Sequence, residues 1–301
     1  MSAPSPSRKR PLPSADDAEL LRSALLAHDW AAGLCEQGGE GGCCDWYHGA
    51  WQLLRLLGIM STSGVNAAHY EAELARISGD GSFRRVLITG SADYSMLKLV
   101  ADARTADDPP LTYVVLDRCA TPLRICDWYA RQHGLAIETL HQDVLAPLPE
   151  GAFDAVFTHA FMGNFDDPGR AALVRQWAKV LRPGGRVVTV QRVRPGFPGD
   201  VVRFSDSEAA AFVERVAELV PVMLPPEAAR LDVVGMARVH ARNFQALPVR
   251  SAEGLRALFE DAGFRLDRFE RSAPGGPAGV TGPSVPNTDG HYLITAERLA
   301  S

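Results

Sequence analysis

Lysine is almost missing from this chain: of 31 basic residues only Lys9, Lys98 and Lys179 are lysine, the rest arginine. Basic residues as a class are also outnumbered, by 36 acidic ones, and the formal charge of -5 argues against a non-specific nucleic-acid binder while leaving room for a local basic patch. The arginine skew accompanies abundant Ala, Gly and Pro and reads as compositional. No unbroken apolar run reaches the roughly 18 residues of a membrane span, so no membrane partner is expected. Cysteine is scarce. Cys35, Cys43, Cys44, Cys119 and Cys126 form an odd set without a C-x-x-C pair, which gives neither a disulfide framework nor a zinc site. The expectation is a metal-free protein of a reducing cytoplasm. A signal peptide is not expected either, because Arg8, Lys9 and Arg10 lead into Pro11–Asp17 instead of an apolar stretch.

What is present suits an ordinary globular chain, with 46% apolar and 22% charged residues over 301 positions. Residues 1–14 have little to bury and read as a disordered tail. Residues 15–80 read as an N-terminal helical cover. Ser14 and Asp17 have capping-box spacing, Leu21, Leu25, His28, Ala32 and Cys35 recur at helical intervals, and Trp46, Tyr47, Trp51, Leu54 and Leu57 mark a second helix. A third spans about Asn66 to Ile77. From residue 81 to the end, β-branched runs at Arg85–Gly90, Thr112–Asp117, Ile137–Asp143, Phe153–Ala160 and Gly185–Val193 alternate with helices. Thr121-Pro122 and Asp167-Pro168 read as helix starts. Such alternation makes βαβ units and a parallel sheet. A helical insertion at about 200–246 follows, opened by a capping box at Ser205 and Glu208. A helix from Ser251 and strands Phe264–Arg271 and His291–Glu297 finish the sheet, joined by a Gly/Pro-rich connection at 273–290.

In an open parallel sheet ligands sit at the carboxyl ends of the strands. Gly90 ends the first strand and Asp117 the second, which suits a ribose-containing ligand. The turn Gly90-Ser91-Ala92-Asp93-Tyr94-Ser95 is not G-x-G-x-x-G, and Asp93 would repel a pyrophosphate. A nucleoside without phosphate is therefore favoured. Gln142-Asp143-Val144, Leu148-Pro149, Phe153-Asp154 and Leu181-Arg182-Pro183-Gly184-Gly185 follow in order, and the whole resembles the class I S-adenosylmethionine-dependent transferases. That resemblance implies a Rossmann-like α/β fold with a seven-stranded, mostly parallel sheet, and S-adenosylmethionine as co-substrate. It implies that Gly90, Ser91, Asp93 and Tyr94 face the methionine portion, Asp117 the ribose, and Asp143 with Val144 the adenine. Ile88, Ala92 and Tyr94 stand where the family usually has an acid and two glycines, so the loop that holds the methionine tail is rebuilt.

A rebuilt loop bears on which carbon next to the sulfonium is attacked. The turn Thr89–Met96, the segment Asp117–Leu123 and Trp46-Tyr47-His48-Gly49 together are similar to an actinobacterial branch that moves the 3-amino-3-carboxypropyl group. In that branch the acceptor is a phenolic oxygen in β-lactam antibiotic assembly. The alternatives are small-molecule O- or N-methylation and a nucleoside-binding regulator without catalysis. On the acceptor side, His159 is a candidate base for a phenol or else a histidine satisfied by backbone. Arg192 and Arg194 could fork a substrate carboxylate or be solvated. Tyr47 and His48, with Trp51, could close as an aromatic lid or simply pack helices. The expected partner is a small-molecule acceptor, and nothing in the sequence fixes an oligomeric state.

Overall fold

The computed structural model describes residues 15–35, 43–60, 62–78, 83–104, 109–272, 283 and 290–300. The expected tail and nearly all of the 273–290 connection lie outside them. Seven strands form one sheet: β1 (Arg85–Thr89), β2 (Thr112–Asp117), β3 (Ile137–His141), β4 (Phe153–Phe157), β5 (Leu181–Val193), β6 (Phe264–Ser272) and β7 (Gly290–Arg298). Their order is β3-β2-β1-β4-β5-β7-β6, with β7 antiparallel to both neighbours. This is the Rossmann-like class I methyltransferase fold.

Burial follows position in the sheet. β1, β2 and β4 are buried almost throughout, as strands covered on both faces must be, whereas the edge strands β3 and β6 are largely exposed. Alternate residues feed two cores. Ile88, Val115 and Phe157 pack with Leu97 and Val100 of α4 (Ser95–Asp102), Tyr129 of α5 (Ala120–His133), and Tyr70 and Leu74 of α3 (Ala67–Ser78). Leu87, Val114 and Val156 pack on the other face with Trp177 of α6 (Asp167–Val180) and Phe259 of α10 (Ala252–Asp261).

Two expected helix starts are displaced. Asp166, not Asp167, caps α6 by accepting the Gly169 N–H, and Cys119, not Thr121, precedes α5. The capping box at Ser205 and Glu208 opens α7 (Asp206–Met223) as read.

The N-terminal cover and the insertion turn out to share a core. Ala24 of α1 (Ala15–Leu34) and Leu53 and Leu54 of α2 (Asp45–Leu56) pack with Phe212 and Val216 of α7. Ala228 of α8 (Pro226–Ala229) and Ala237 of α9 (Val233–Asn243) complete it. These segments are some 150 residues apart in sequence yet make one helical cap, whose insertion half is closed at its base by the bridge between Val202 and Ala246. No helix among the described residues is long and apolar enough to cross a membrane.

Candidate functional site

The carboxyl ends of β1, β2 and β4 meet beneath the cap. Gly90 leaves β1 with φ +66°, and a Cβ built there would overlap the ring of Phe161, which follows β4. The ring covers the Gly90 turn, and a ligand that touches this backbone has to displace it. Gly90→Ala combines left-handed strain with that overlap, and should lower stability by about 2 kcal/mol. Denaturant midpoints of the variant and parent check this. The strand end is also under-bonded: Thr89 Oγ1 and Ser91 Oγ are buried without a partner. Ala160, also at this edge, has φ +52°, the one left-handed non-glycine residue among those described.

The Asp93 and Tyr94 expectations need correction. Asp93 is buried, and its carboxylate accepts Trp51 Nε1–H at 3.1 Å, Arg55 Nη1–H, Ser95 N–H at 2.8 Å and Ser95 Oγ–H. Four donors fill a carboxylate. Asp93 therefore pins α2 to the start of α4 and has no acceptor left for a cofactor. Tyr94 stacks on Tyr129 at 4.6 Å inside the core, so its side chain does not line the edge.

Asp117 is different. Its Oδ1 accepts the Cys119 N–H at 2.8 Å, and Oδ2 has no protein donor among the described residues. Burial pushes this carboxyl up to about 6, and the Cys119 N–H works against the rise. A desolvated oxygen at the end of β2 suits a pair of ribose hydroxyls. Asp143 is exposed and accepts the Leu145 N–H at 2.8 Å, Val144 is buried, and Gln142 Nε2 is a buried donor without a partner. A cleft of about 490 Å³ beside Gln142, Leu148 and Phe153 reaches this end but includes neither Gly90 nor Asp117.

Tyr47 lies half-buried between the cap and the edge, near Trp51 and stacked on His240 of α9. Burial, then the carboxylates of Asp93 and Asp117, push its hydroxyl well above the ordinary tyrosine value. His48 does not join it in a lid. It is buried with Nδ1 at 3.5 Å from Cys35 Sγ and 3.3 Å from Cys119 Sγ, and Cys44 Sγ is 3.6 Å from Cys119 Sγ. Burial lowers the His48 value but the hydrogen bonds to Cys119 and Cys35 outweigh it, so His48 is pushed up to about 9. The expectation that no cysteine and histidine cluster has ligand geometry is thus corrected. Linear spacing hid it because its members come from three segments, although Cys44 and His48 stand one helical turn apart.

The acceptor side holds cations. Tyr70 Oη donates to Thr158 O at 2.7 Å and so accepts from His159 Nδ1 at 3.0 Å, which leaves Nε2 of His159 as the acceptor. Sequence reading missed Tyr70. Burial, then His291, His69 and Arg192, push His159 down to about 3, which keeps its imidazole neutral. Arg192 Nε donates to His291 Nε2 at 3.2 Å. Arg194 is 7% exposed with Nη1 unpartnered, and burial followed by Arg192 pushes it down to about 10. Neither arginine is solvated as an ordinary surface residue, and no described carboxylate pairs with them.

Buried histidines also set an acid limit. Burial lowers His240 to about 4 and is the leading cause at His291, also about 4. Both folded values lie below the ordinary one near 6.5, so the unfolded chain binds more protons in between. The contribution of each of these two histidines is complete above about pH 6.5 and falls on the order of 1 kcal/mol per pH unit down to about pH 4. His240→Phe should flatten the fall of Tm over that window, read by thermal melts at stepped pH.

Residues 98–185, less than a third of the chain, match a family described as a methyltransferase domain. No curated protein matches the chain in sequence. A solved structure from Bordetella parapertussis, described as a possible exported protein, aligns at TM-score 0.52 and 17% identity, over 99% of this chain and 100% of that one. The [4+2]-cyclase SpnF aligns at TM-score 0.50 and 15% identity, over 97% and 99%. An S-adenosylmethionine-dependent methyltransferase from Methanosarcina mazei aligns at 0.46 and 15%, over 72% and 93%. The matched segment and the sheet order agree in giving a class I methyltransferase fold. The presence of a cyclase among these neighbours means that the fold leaves the reaction open.

Proposed function

We propose that this chain is an S-adenosylmethionine-dependent transferase acting on an anionic small molecule, a natural-product precursor. The observation that carries the reading is Asp117, a desolvated carboxylate with one oxygen to spare at the end of β2, beside the left-handed Gly90 turn of a 3-2-1-4-5-7-6 sheet. Asp117 would hold the ribose, Gln142 and Asp143 the adenine, and the Gly90–Ser91 turn the amino acid arm. When bound, the cofactor supplies a carbon activated by a sulfonium. The chain's own work is alignment and charge: Tyr47 roofs the strand ends, and Arg192 with Arg194 would bind an anionic group of the acceptor. The same two guanidiniums favour the phenolate over the phenol, which removes the need for a strong base at His159.

The finer reading is 3-amino-3-carboxypropyl transfer to a phenolic oxygen, as in isonocardicin synthase of nocardicin-type β-lactam assembly, with methylthioadenosine as the leaving product. It rests on the residues Ile88, Ala92 and Tyr94 in the first loop and on Asp93, whose carboxylate is committed to the protein. Methyl transfer is the second reading, favoured by the methyltransferase-domain match. Incubation with S-adenosylmethionine and phenolic carboxylic acids, followed by mass spectrometry of the sulfur-containing product, separates them. Methylthioadenosine above background supports the first, and S-adenosylhomocysteine alone overturns it in favour of the second.

A further inference from the structure

Four potential ligands converge beside the end of β2: Cys35 just after α1, Cys44 at the N-cap of α2, His48 in the first turn of α2 and Cys119 at the N-cap of α5. Each offers one donor atom, and all four atoms lie within 4.8 Å of one another. The pairwise distances are the informative feature. Cys35 Sγ to Cys119 Sγ is 3.6 Å, Cys44 Sγ to Cys119 Sγ is 3.6 Å, and His48 Nδ1 lies 3.5 Å and 3.3 Å from Cys35 and Cys119. A tetrahedral zinc with Zn–S about 2.3 Å and Zn–N about 2.0–2.1 Å has ligand-to-ligand edges of about 3.5–3.8 Å. The sulfurs are unbonded, and Cys119 is equally far from two partners, so the set is a four-cornered cage and not one disulfide pair.

We propose that Cys35, Cys44, His48 and Cys119 form a structural zinc site that fastens the N-terminal helices to the β2–α5 turn. Three thiolates and a neutral imidazole complete four-coordination, so no position stays open for substrate, and binding releases the protons held by the thiols and the second proton of the His48 imidazolium. Soft thiolates select Zn²⁺ over hard cations such as Mg²⁺. Thr121 Oγ1 lies 3.2 Å from Cys35 Sγ, where a hydroxyl can donate to a coordinated thiolate. Ala31 packs against the cage, in which Cys35, His48 and Cys119 are buried and Cys44 is partly so. The other two cysteine sulfurs do not belong: Cys43 Sγ points to Cys35 O at 4.0 Å and Cys126 Sγ to Asp93 O at 3.7 Å.

The position gives the metal leverage on the edge. Cys119 is two residues from Asp117 and donates its N–H to that carboxylate, and His48 is next to Tyr47. A metal held there fixes both the Asp117 turn and the first turn of α2. The site is read from its own coordination, so its test needs no turnover, and its failure is distinct from failure of the transferase reading.

Full-length protein, stripped of metal under reducing conditions, is titrated with Co²⁺. The expected result is one Co²⁺ per chain with the intense visible bands and thiolate charge-transfer absorption of tetrahedral sulfur coordination, both displaced by one equivalent of Zn²⁺. Cys44→Ser should weaken Zn²⁺ binding by more than the roughly 10–100-fold that loss of an outer-shell group causes. Cys43→Ser should leave it unchanged. Weak octahedral bands or no saturable Co²⁺ binding by the parent protein overturns the proposal, as does unchanged affinity in Cys44→Ser. Metal-free protein purified without reductant that carries a Cys119 disulfide and refuses Co²⁺ after reduction overturns it too. The parent spectrum stands even if Cys44→Ser fails to fold.

Discussion

Arg194→Met should raise the stability of the free protein while lowering kcat/KM for an anionic acceptor by about 100-fold or more. The two effects have one cause. Arg194 is a buried guanidinium with Nη1 unpartnered, next to Arg192 and near His291, with no carboxylate opposite it among the described residues. Burying an uncompensated charge is unfavourable, and replacement by an apolar side chain of similar length should recover on the order of 1–3 kcal/mol. A folded protein that keeps such a charge holds it for a ligand. Truncating one side of a buried, hydrogen-bonded charge pair costs about 2–5 kcal/mol of binding, which is the basis for the loss in kcat/KM. Parallel denaturation and steady-state kinetics check both halves. On the proposed reading Arg194 meets the acceptor and not the nucleoside, so the dissociation constant for S-adenosylmethionine should move little.

Asp117→Ala should do the reverse, raising the dissociation constant for S-adenosylmethionine by roughly 100-fold. Two hydrogen bonds from ribose hydroxyls to a carboxylate at about 1.5 kcal/mol each account for that factor. Asp117→Asn should fall between, since an amide oxygen still accepts the Cys119 N–H and one hydroxyl. Calorimetric titration of the three proteins reads the series. If Asp117→Ala binds as the parent does, the ribose lies elsewhere along the edge.

Much of this architecture is legible in the sequence, and the reasons are local. Val86–Ile88, Tyr113–Leu116 and Ala155–Phe157 are short apolar runs, and such runs suit strands covered on both faces. Gly90 and Asp117 stand where the chain turns away from the sheet, so their place at the edge follows from the strand assignments. Asp93 illustrates what is harder to read. An aspartate two residues before a serine at a helix start is a self-contained turn, and Asp93 accepts the Ser95 N–H accordingly. The same carboxylate also receives Trp51 and Arg55 from a helix some 40 residues earlier, which no local pattern announces. Tyr94 is absorbed by stacking on Tyr129, a contact set by how α4 and α5 pack. The cysteine cage and the joint core of the cover and insertion share this cause: both are assembled from segments far apart in sequence.

The central claim is that the strand ends beneath the cap hold S-adenosylmethionine. Equilibrium binding of that compound to the unmodified full-length protein tests it most directly. The account predicts saturable binding of one molecule per chain, competed by methylthioadenosine and S-adenosylhomocysteine, which share its adenine and ribose. Absence of saturable binding, or binding that neither nucleoside product displaces, would contradict it.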